Sequence, residues 1–181
     1  TESELLRMGK GEYDFSEMYI VEKTYLDRAD KAVRTHGDVS FSQGGSFYDV
    51  LYGMKHYGLV PEEEMRPGVM YGDTLSNHTE LSAISDAMVN AIAKGELKRL
   101  QTDKNNVPLW KKAIESVHEI YLGKAPEKFT YKGKEYTPMS FYESTGLNAD
   151  DYVSLTSFTH HPFYSQFVIE VQDNWRWATS Y

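Results

Sequence analysis

The sequence has no cysteine among its 181 residues. This absence excludes disulfide bonds, thiolate metal sites and a cysteine nucleophile within the chain. No apolar run approaches the length of a membrane span, and no segment has the pattern of a signal peptide. Basic residues are also scarce, since 19 Lys and Arg stand against 27 Asp and Glu, for a net charge of −8. Neither a nucleic-acid surface nor a membrane contact is therefore expected.

What the chain does contain is typical of a folded domain. Hydrophobic residues make up 40% of it and aromatic residues 14%, which is sufficient for a core in a chain of this length. The 14 tyrosines indicate either a groove or subunit contact, or a tyrosine-rich edge of the core. Residues 2–8 look like the end of a helix and residues 175–181 carry no polar tail, so we expect a longer parent polypeptide.

The most informative stretch runs from residue 42 to residue 61. It opens with the pair Gly44–Gly45 and continues into a segment with apolar residues at helical spacing, which Gly58 is expected to end. Two adjacent glycines leave their peptide groups uncovered, so the main chain of a ligand could form hydrogen bonds with them. The alternative is a tight turn before a helix. The apolar positions of that helix are Phe47, Val50, Leu51 and Met54.

Elsewhere the pattern predicts more helix than strand. Ser16 is expected to cap a helix that runs to about residue 34. A helical hairpin is expected from two segments, at about 77–101 and 108–122, and Gly123 ends the second. The apolar stripe predicted for the first segment consists of Leu81, Ile84, Met88, Ala91 and Ile92. A β-hairpin around Lys132–Gly133, a short helix containing Phe141, and strands at 152–156 and 166–171 follow.

The histidines do not form a predicted metal site. His160 and His161 are adjacent, so on an extended segment they point to opposite faces, and no third ligand lies near them in the sequence. His78 and His118 each stand alone and are expected to be surface or core residues. No metal and no cofactor is predicted.

Three motifs together resemble one known family. They are the Gly-Gly turn with a helix ending in Tyr-Gly-Leu-Val-Pro at 57–61, the run Leu-Gly-x-x-Pro-Glu-x-Phe-Thr at 122–130, and Thr-Pro-x-x-Phe-Tyr at 137–142. This order resembles the papain-like cysteine peptidases, in particular their bleomycin hydrolase and aminopeptidase C branch. The resemblance implies an α+β papain-like fold, represented mostly by its helical half and the first β strands. The implied segments are 1–68 (helical subdomain), 69–125 (hairpin insertion) and 126–181 (lead into the β subdomain).

The resemblance also implies a role for the glycine pair. In the family it lines the substrate cleft, so Gly44 and Gly45 would pair with a peptide backbone, while Ser46 and Phe47 would shape the cleft wall. The catalytic Cys, His and Asn would lie outside residues 1–181, so the chain alone is expected to be inactive. The parent would be a cysteine-type aminopeptidase acting on peptides, assembled as a homo-oligomer, and cytoplasmic or exported. The alternative is a peptide-binding or assembly module without catalysis.

Overall fold

Helices and one small sheet make up the part of the chain that the structure describes. It is a computed structural model, and it describes residues 1–37, 41, 44–72, 74–95 and 101–153. The chain divides into two compact units, Thr1–Asp150 and Asp151–Tyr181, and the contacts discussed below lie in the first. The helices are α1 (Glu2–Arg7), α2 (Glu17–Arg34), α3 (Phe47–Tyr57), α4 (Thr79–Lys94), α5 (Leu109–Leu122) and α6 (Pro138–Thr145), with short 3-10 turns at Glu62–Glu64, Val69–Tyr71 and Ala149–Asp151. The strands are β1 (Phe129–Tyr131) and β2 (Lys134–Tyr136).

The combination of helices and a two-stranded antiparallel sheet agrees with the predicted α+β class. The papain-like arrangement and the division at residues 68 and 125 stay predictions.

The long helix α2 packs against α3, α4 and α5. Its predicted cap is confirmed, since the Ser16 hydroxyl accepts a hydrogen bond from the backbone N–H of Tyr19 at 3.2 Å. The same hydroxyl donates to the carbonyl of Met65 at 2.5 Å, which ties the start of α2 to the segment that follows α3. A buried face follows at helical spacing: Tyr19, Ile20, Glu22, Tyr25, Ala29, Ala32 and Val33.

The helical hairpin forms from α4 and α5 as predicted, but the buried face of α4 differs from the predicted one. Ile84 and Ala91 were expected to be in the apolar stripe, and both are exposed. The helix is rotated because Ser85 points inward to a buried partner on α5, a contact that hydrophobicity alone does not predict. The residues actually buried on α4 are Leu81, Ser85, Val89 and Ala93.

An aromatic cluster joins the β-hairpin to the rest of the unit. β1 and β2 pair antiparallel with Phe129 opposite Tyr136, which confirms the predicted hairpin. Phe141 on α6 lies at the centre of the cluster and is 1% exposed. Four rings surround it at centroid distances of 4.9 to 6.0 Å: Phe15, Phe129, Tyr131 and Tyr136.

Some predictions fall outside the described residues. The strand at 166–171, most of the strand at 152–156, and the pair His160–His161 are among them, while Tyr152 and Val153 carry no strand assignment. Across the ranges that are described, no helix is both long and apolar enough to cross a membrane.

Candidate functional site: a glycine turn at the start of α3

The backbone of the turn explains its first glycine. Gly44 has φ +85°, in the left-handed region where a side chain is strained. Ser46 follows in extended conformation (φ −110°, ψ 163°) and is the N-cap of α3. The left-handed residue Gly44 is thus separated from the N-cap by Gly45 alone, and the helix begins at Phe47.

Asp49 holds the turn from inside the helix. Its carboxylate accepts a hydrogen bond from the backbone N–H of Ser46 at 2.7 Å and one from the Ser46 hydroxyl at 3.3 Å. This is the back-bonding half of a capping box, in which a side chain in the first turn satisfies a free N–H at the helix start.

Arg28 on α2 reaches the turn from a distance of 16 residues in sequence. Its Nη2 donates to the Asp49 carboxylate at 3.0 Å, and its Nη1 donates to the carbonyl of Gly44. Burial alone would raise the pKa of Asp49, but the hydrogen bond from the Ser46 backbone and the charge of Arg28 outweigh it, so the pKa lies below its ordinary value. Asp49 is therefore held as a carboxylate with both partners in place.

The second glycine is explained by this ion pair. A Cβ on Gly45 would lie 3.1 Å from Asp49 Oδ2 and 3.3 Å from Arg28 Nη2. Both distances are tight for a Cβ contact, so a side chain at residue 45 would require the ends of these two side chains to shift by a few tenths of an ångström. The backbone conformation favours glycine at residue 44, and the neighbouring ion pair leaves little room for a side chain at residue 45.

The predicted site residues form an exposed surface. Gly44, Gly45, Ser46 and Phe47 are all exposed, and Phe47 keeps 54% of its surface accessible. Among the apolar positions at helical spacing on α3, Phe47 lies outside the buried face, whereas Met54 is fully buried. Phe47 is the first residue of the helix.

An aromatic row continues this surface along α3. The rings of Tyr48 and Tyr52 lie 6.3 Å apart, and those of Tyr52 and His56 lie 4.1 Å apart. Tyr48 is 67% exposed. The i, i+4, i+8 spacing of these three residues was visible in the sequence and would have indicated a shared face. Arg28, in contrast, has no local signal, because only the tertiary structure brings it to the turn.

A concave region lies apart from the turn and includes none of its residues. A cavity of about 750 Å³ opens between α1, residues 12–14, the 3-10 turn after Pro61 and the β-hairpin. Acidic side chains predominate in its lining, and burial together with the charges of Glu17 and Asp14 raises the pKa of Glu62 to about 7. Within the described residues, no group of three or more His, Asp or Glu side chains could hold a metal ion. The cavity is lined by Glu2, Ser3, Leu6, Glu12, Tyr13, Asp14, Pro61, Glu62, Glu63, Arg66, Tyr131 and Lys132.

The two described histidines that were predicted to stand alone flank one tyrosine. The ring of Tyr25 lies 5.9 Å from the ring of His78 and 5.9 Å from that of His118. The Tyr25 hydroxyl is 3.0 Å from His78 Nδ1, and His118 Nε2 is 3.1 Å from the hydroxyl of Ser85. Ser85 and His118 are almost fully buried and belong to the core, whereas His78 is half-buried.

Two curated proteins are similar to the chain. Aminopeptidase E of Lactobacillus helveticus is 26% identical over 170 residues, and the alignment covers 82% of this chain. Aminopeptidase G of Lactobacillus delbrueckii subsp. lactis is 26% identical over 163 residues, covering 80% of this chain. The matches span only 38% and 36% of those two proteins. No protein-family model matches.

Proposed function

We propose that this chain, a distant relative of the bleomycin hydrolase and aminopeptidase C family, forms one wall of the substrate cleft of a peptidase. The parent protein would remove N-terminal residues from peptides. In this proposal Gly44 and Gly45 exchange backbone hydrogen bonds with the peptide, and Ser46 and Phe47 shape the wall beside it.

The observation that carries the proposal is the exposed glycine turn, in a chain whose relatives are named aminopeptidases. Gly44 and Gly45 are exposed. Arg28 already binds the Gly44 carbonyl and Asp49 the Ser46 N–H, so a peptide would pair with the N–H and carbonyl of Gly45. A peptide lying in extended form beside such a turn can pair with it as one strand pairs with another.

The chemistry proposed for the parent is of the cysteine type. A thiolate attacks the carbonyl carbon of the scissile peptide bond, a histidine protonates the departing amine, and an asparagine orients that histidine. The sequence has no cysteine, so the parent would supply the thiolate from residues outside these 181. The chain by itself would then bind peptides weakly and leave them intact.

The test begins with the encoded polypeptide. The full-length protein would be expressed from its complete reading frame and assayed with an aminoacyl arylamide, with and without a thiol-alkylating reagent. Hydrolysis that the reagent abolishes, with none from the 181-residue chain at equal concentration, is the expected result. Hydrolysis that survives alkylation would contradict the cysteine chemistry, and hydrolysis by the 181-residue chain would contradict the location of the catalytic groups.

The absence of cysteine favours a second candidate, a peptide-binding or assembly module without catalysis. A full-length protein that still has no cysteine, shows no hydrolysis and binds peptides in an equilibrium titration would support it. The same preparation tests the proposed homo-oligomer, whose mass in solution would be a multiple of the protomer mass. Fractionation of cells would test the proposed cytoplasmic compartment against an exported one.

A further inference from the structure

We propose that Arg28 is a positioning residue, which fixes the Gly44–Gly45 turn in the conformation that receives the peptide backbone. The second half of the inference, the effect of Arg28 on substrate binding, rests on the proposed function. Its first half, the control of turn conformation by an α2 side chain, depends on the geometry of this chain alone.

The guanidinium makes two contacts that no shorter cation could make together. It donates to the carbonyl of Gly44 and to the carboxylate of Asp49, which lie on either side of Gly45 in the chain. Asp49 in turn accepts the backbone N–H of Ser46. The carbonyl before Gly45 and the N–H after it are thus both held, one directly by Arg28 and the other through Asp49.

Partial burial makes this pair effective. The side chains of Arg28 and Asp49 are 20% and 29% exposed, so water screens their attraction less than it screens a surface pair. Arg28 is anchored on α2, a helix that packs against α3. Arg28 therefore links the turn, whose own residues are exposed, to the packed helices of the unit.

The chain offers a matched control on the same helix. Arg34 Nε lies 2.5 Å from the carboxylate of Asp30, and the Arg34 side chain is 74% exposed. Arg34→Met removes a charge and an ion pair from α2, as Arg28→Met does, but at a site away from the turn. Arg28→Lys keeps the charge and loses the fork that reaches two acceptors at once.

Two measurements on the full-length protein test the inference. The first is amide hydrogen exchange in a peptide covering residues 44–50. Exchange is expected to be faster by about tenfold in Arg28→Met, to be intermediate in Arg28→Lys and to be unchanged in Arg34→Met, since Asp49 loses the charged partner that holds its carboxylate against the Ser46 N–H. The second is steady-state hydrolysis, in which KM is expected to rise about tenfold in Arg28→Met with little change in kcat, because the loss affects the bound peptide and the transition state alike.

Each outcome decides one half of the inference. Unchanged exchange in Arg28→Met would overturn the control of the turn. Faster exchange with unaltered KM would overturn the positioning of substrate. A fall in kcat with KM unchanged would also overturn it, since the turn would then act on the reaction step. If the wild-type full-length protein hydrolyses no peptide, the proposed function fails, and the exchange comparison still decides whether Arg28 fixes the turn. If Arg28→Met does not fold, Arg28→Lys carries both comparisons.

Discussion

The hydroxyl of Ser85 and Nε2 of His118 lie 3.1 Å apart between α4 and α5, and both residues are almost fully buried. This hydrogen bond joins the two helices of the hairpin at the centre of their interface. It also explains the rotation of α4, because the polar pair occupies the position that a purely apolar stripe would have filled.

Ser85→Ala is expected to destabilise the protein by about 1 to 3 kcal/mol, because it leaves a ring nitrogen of His118 buried without its partner. Urea unfolding followed by circular dichroism measures the change. Ser116→Ala is the control, since Ser116 is exposed on α5 and its hydroxyl donates to the carbonyl of Lys112 at 2.9 Å. The expected change there is below about 0.5 kcal/mol, and equal effects of the two substitutions would contradict the prediction.

His118 should also make the protein sensitive to acid. Burial lowers its pKa from 6.5 to about 4, so between these values the unfolded chain binds more protons than the folded one. The free energy of unfolding should then fall as pH drops from 6.5 to 4, by up to about 3 kcal/mol from this residue. Above pH 6.5 its contribution is complete.

The substitution His118→Gln isolates this effect. Burial of Glu22 on α2 raises the pKa of that carboxyl, which gives a slope of opposite sign, so the informative quantity is the difference between wild type and variant. That difference should diminish as pH falls from 6.5 to 4. A constant difference over this range would show that His118 does not titrate in the folded protein as described.

Glu62 should make the free energy of unfolding depend on pH in the direction opposite to that of His118. Its pKa in the folded protein is raised to about 7, first by burial and then by Glu17 and Asp14. Since the folded state binds the extra proton, the free energy of unfolding should fall as pH rises from 4.5 to 7. The cavity is open to water that screens charge, so we expect a loss of about 1 kcal/mol.

Glu62→Gln should remove this slope, and Glu63→Gln, at the exposed neighbouring position, should keep it. Thermal melting at several pH values between 4.5 and 7 gives the comparison. If the Glu62→Gln and wild-type curves run parallel, the pKa of Glu62 is not raised by its surroundings.

Local patterns predicted the elements of this unit well and their contacts poorly. The Ser16 cap, the stop at Gly58 and the hairpin at Lys132–Gly133 were predicted because each depends on the conformational preferences of a few adjacent residues. The exposure of Ile84 and Ala91 on α4 was not predicted, because a helix position becomes buried only if another element covers it.

The candidate site divides in the same way. The glycine pair stood out in the sequence, since two adjacent glycines before a helical pattern have few explanations. The residues that hold it, Arg28 and Asp49, were not singled out. Asp49 could have been found from the Ser-x-x-Asp spacing of a capping box. Arg28 could not, because the contact depends on how α2 lies against α3.

Gly58 provides the sharpest test of the packing that orients α3. It ends the helix with φ +84°, and a Cβ there would lie 2.3 Å from the backbone of Pro138 at the start of α6. The next residue, Leu59, donates its N–H to the carbonyl of Pro138 at 3.0 Å. A side chain at residue 58 would therefore separate α3 from α6.

Gly133→Ala separates backbone strain from this steric effect. Gly133 has φ +79°, yet a Cβ there would meet no atom within 4 Å. Gly133→Ala should lower the free energy of unfolding by about 1 kcal/mol, because only the strain of the left-handed region is added. Gly58→Ala should lower it by about 3 kcal/mol or more, because overpacking against Pro138 is added to that strain. Urea unfolding of the two variants measures both. Equal losses would mean that α3 and α6 can move apart without cost, and the orientation of the glycine turn would then not depend on their contact.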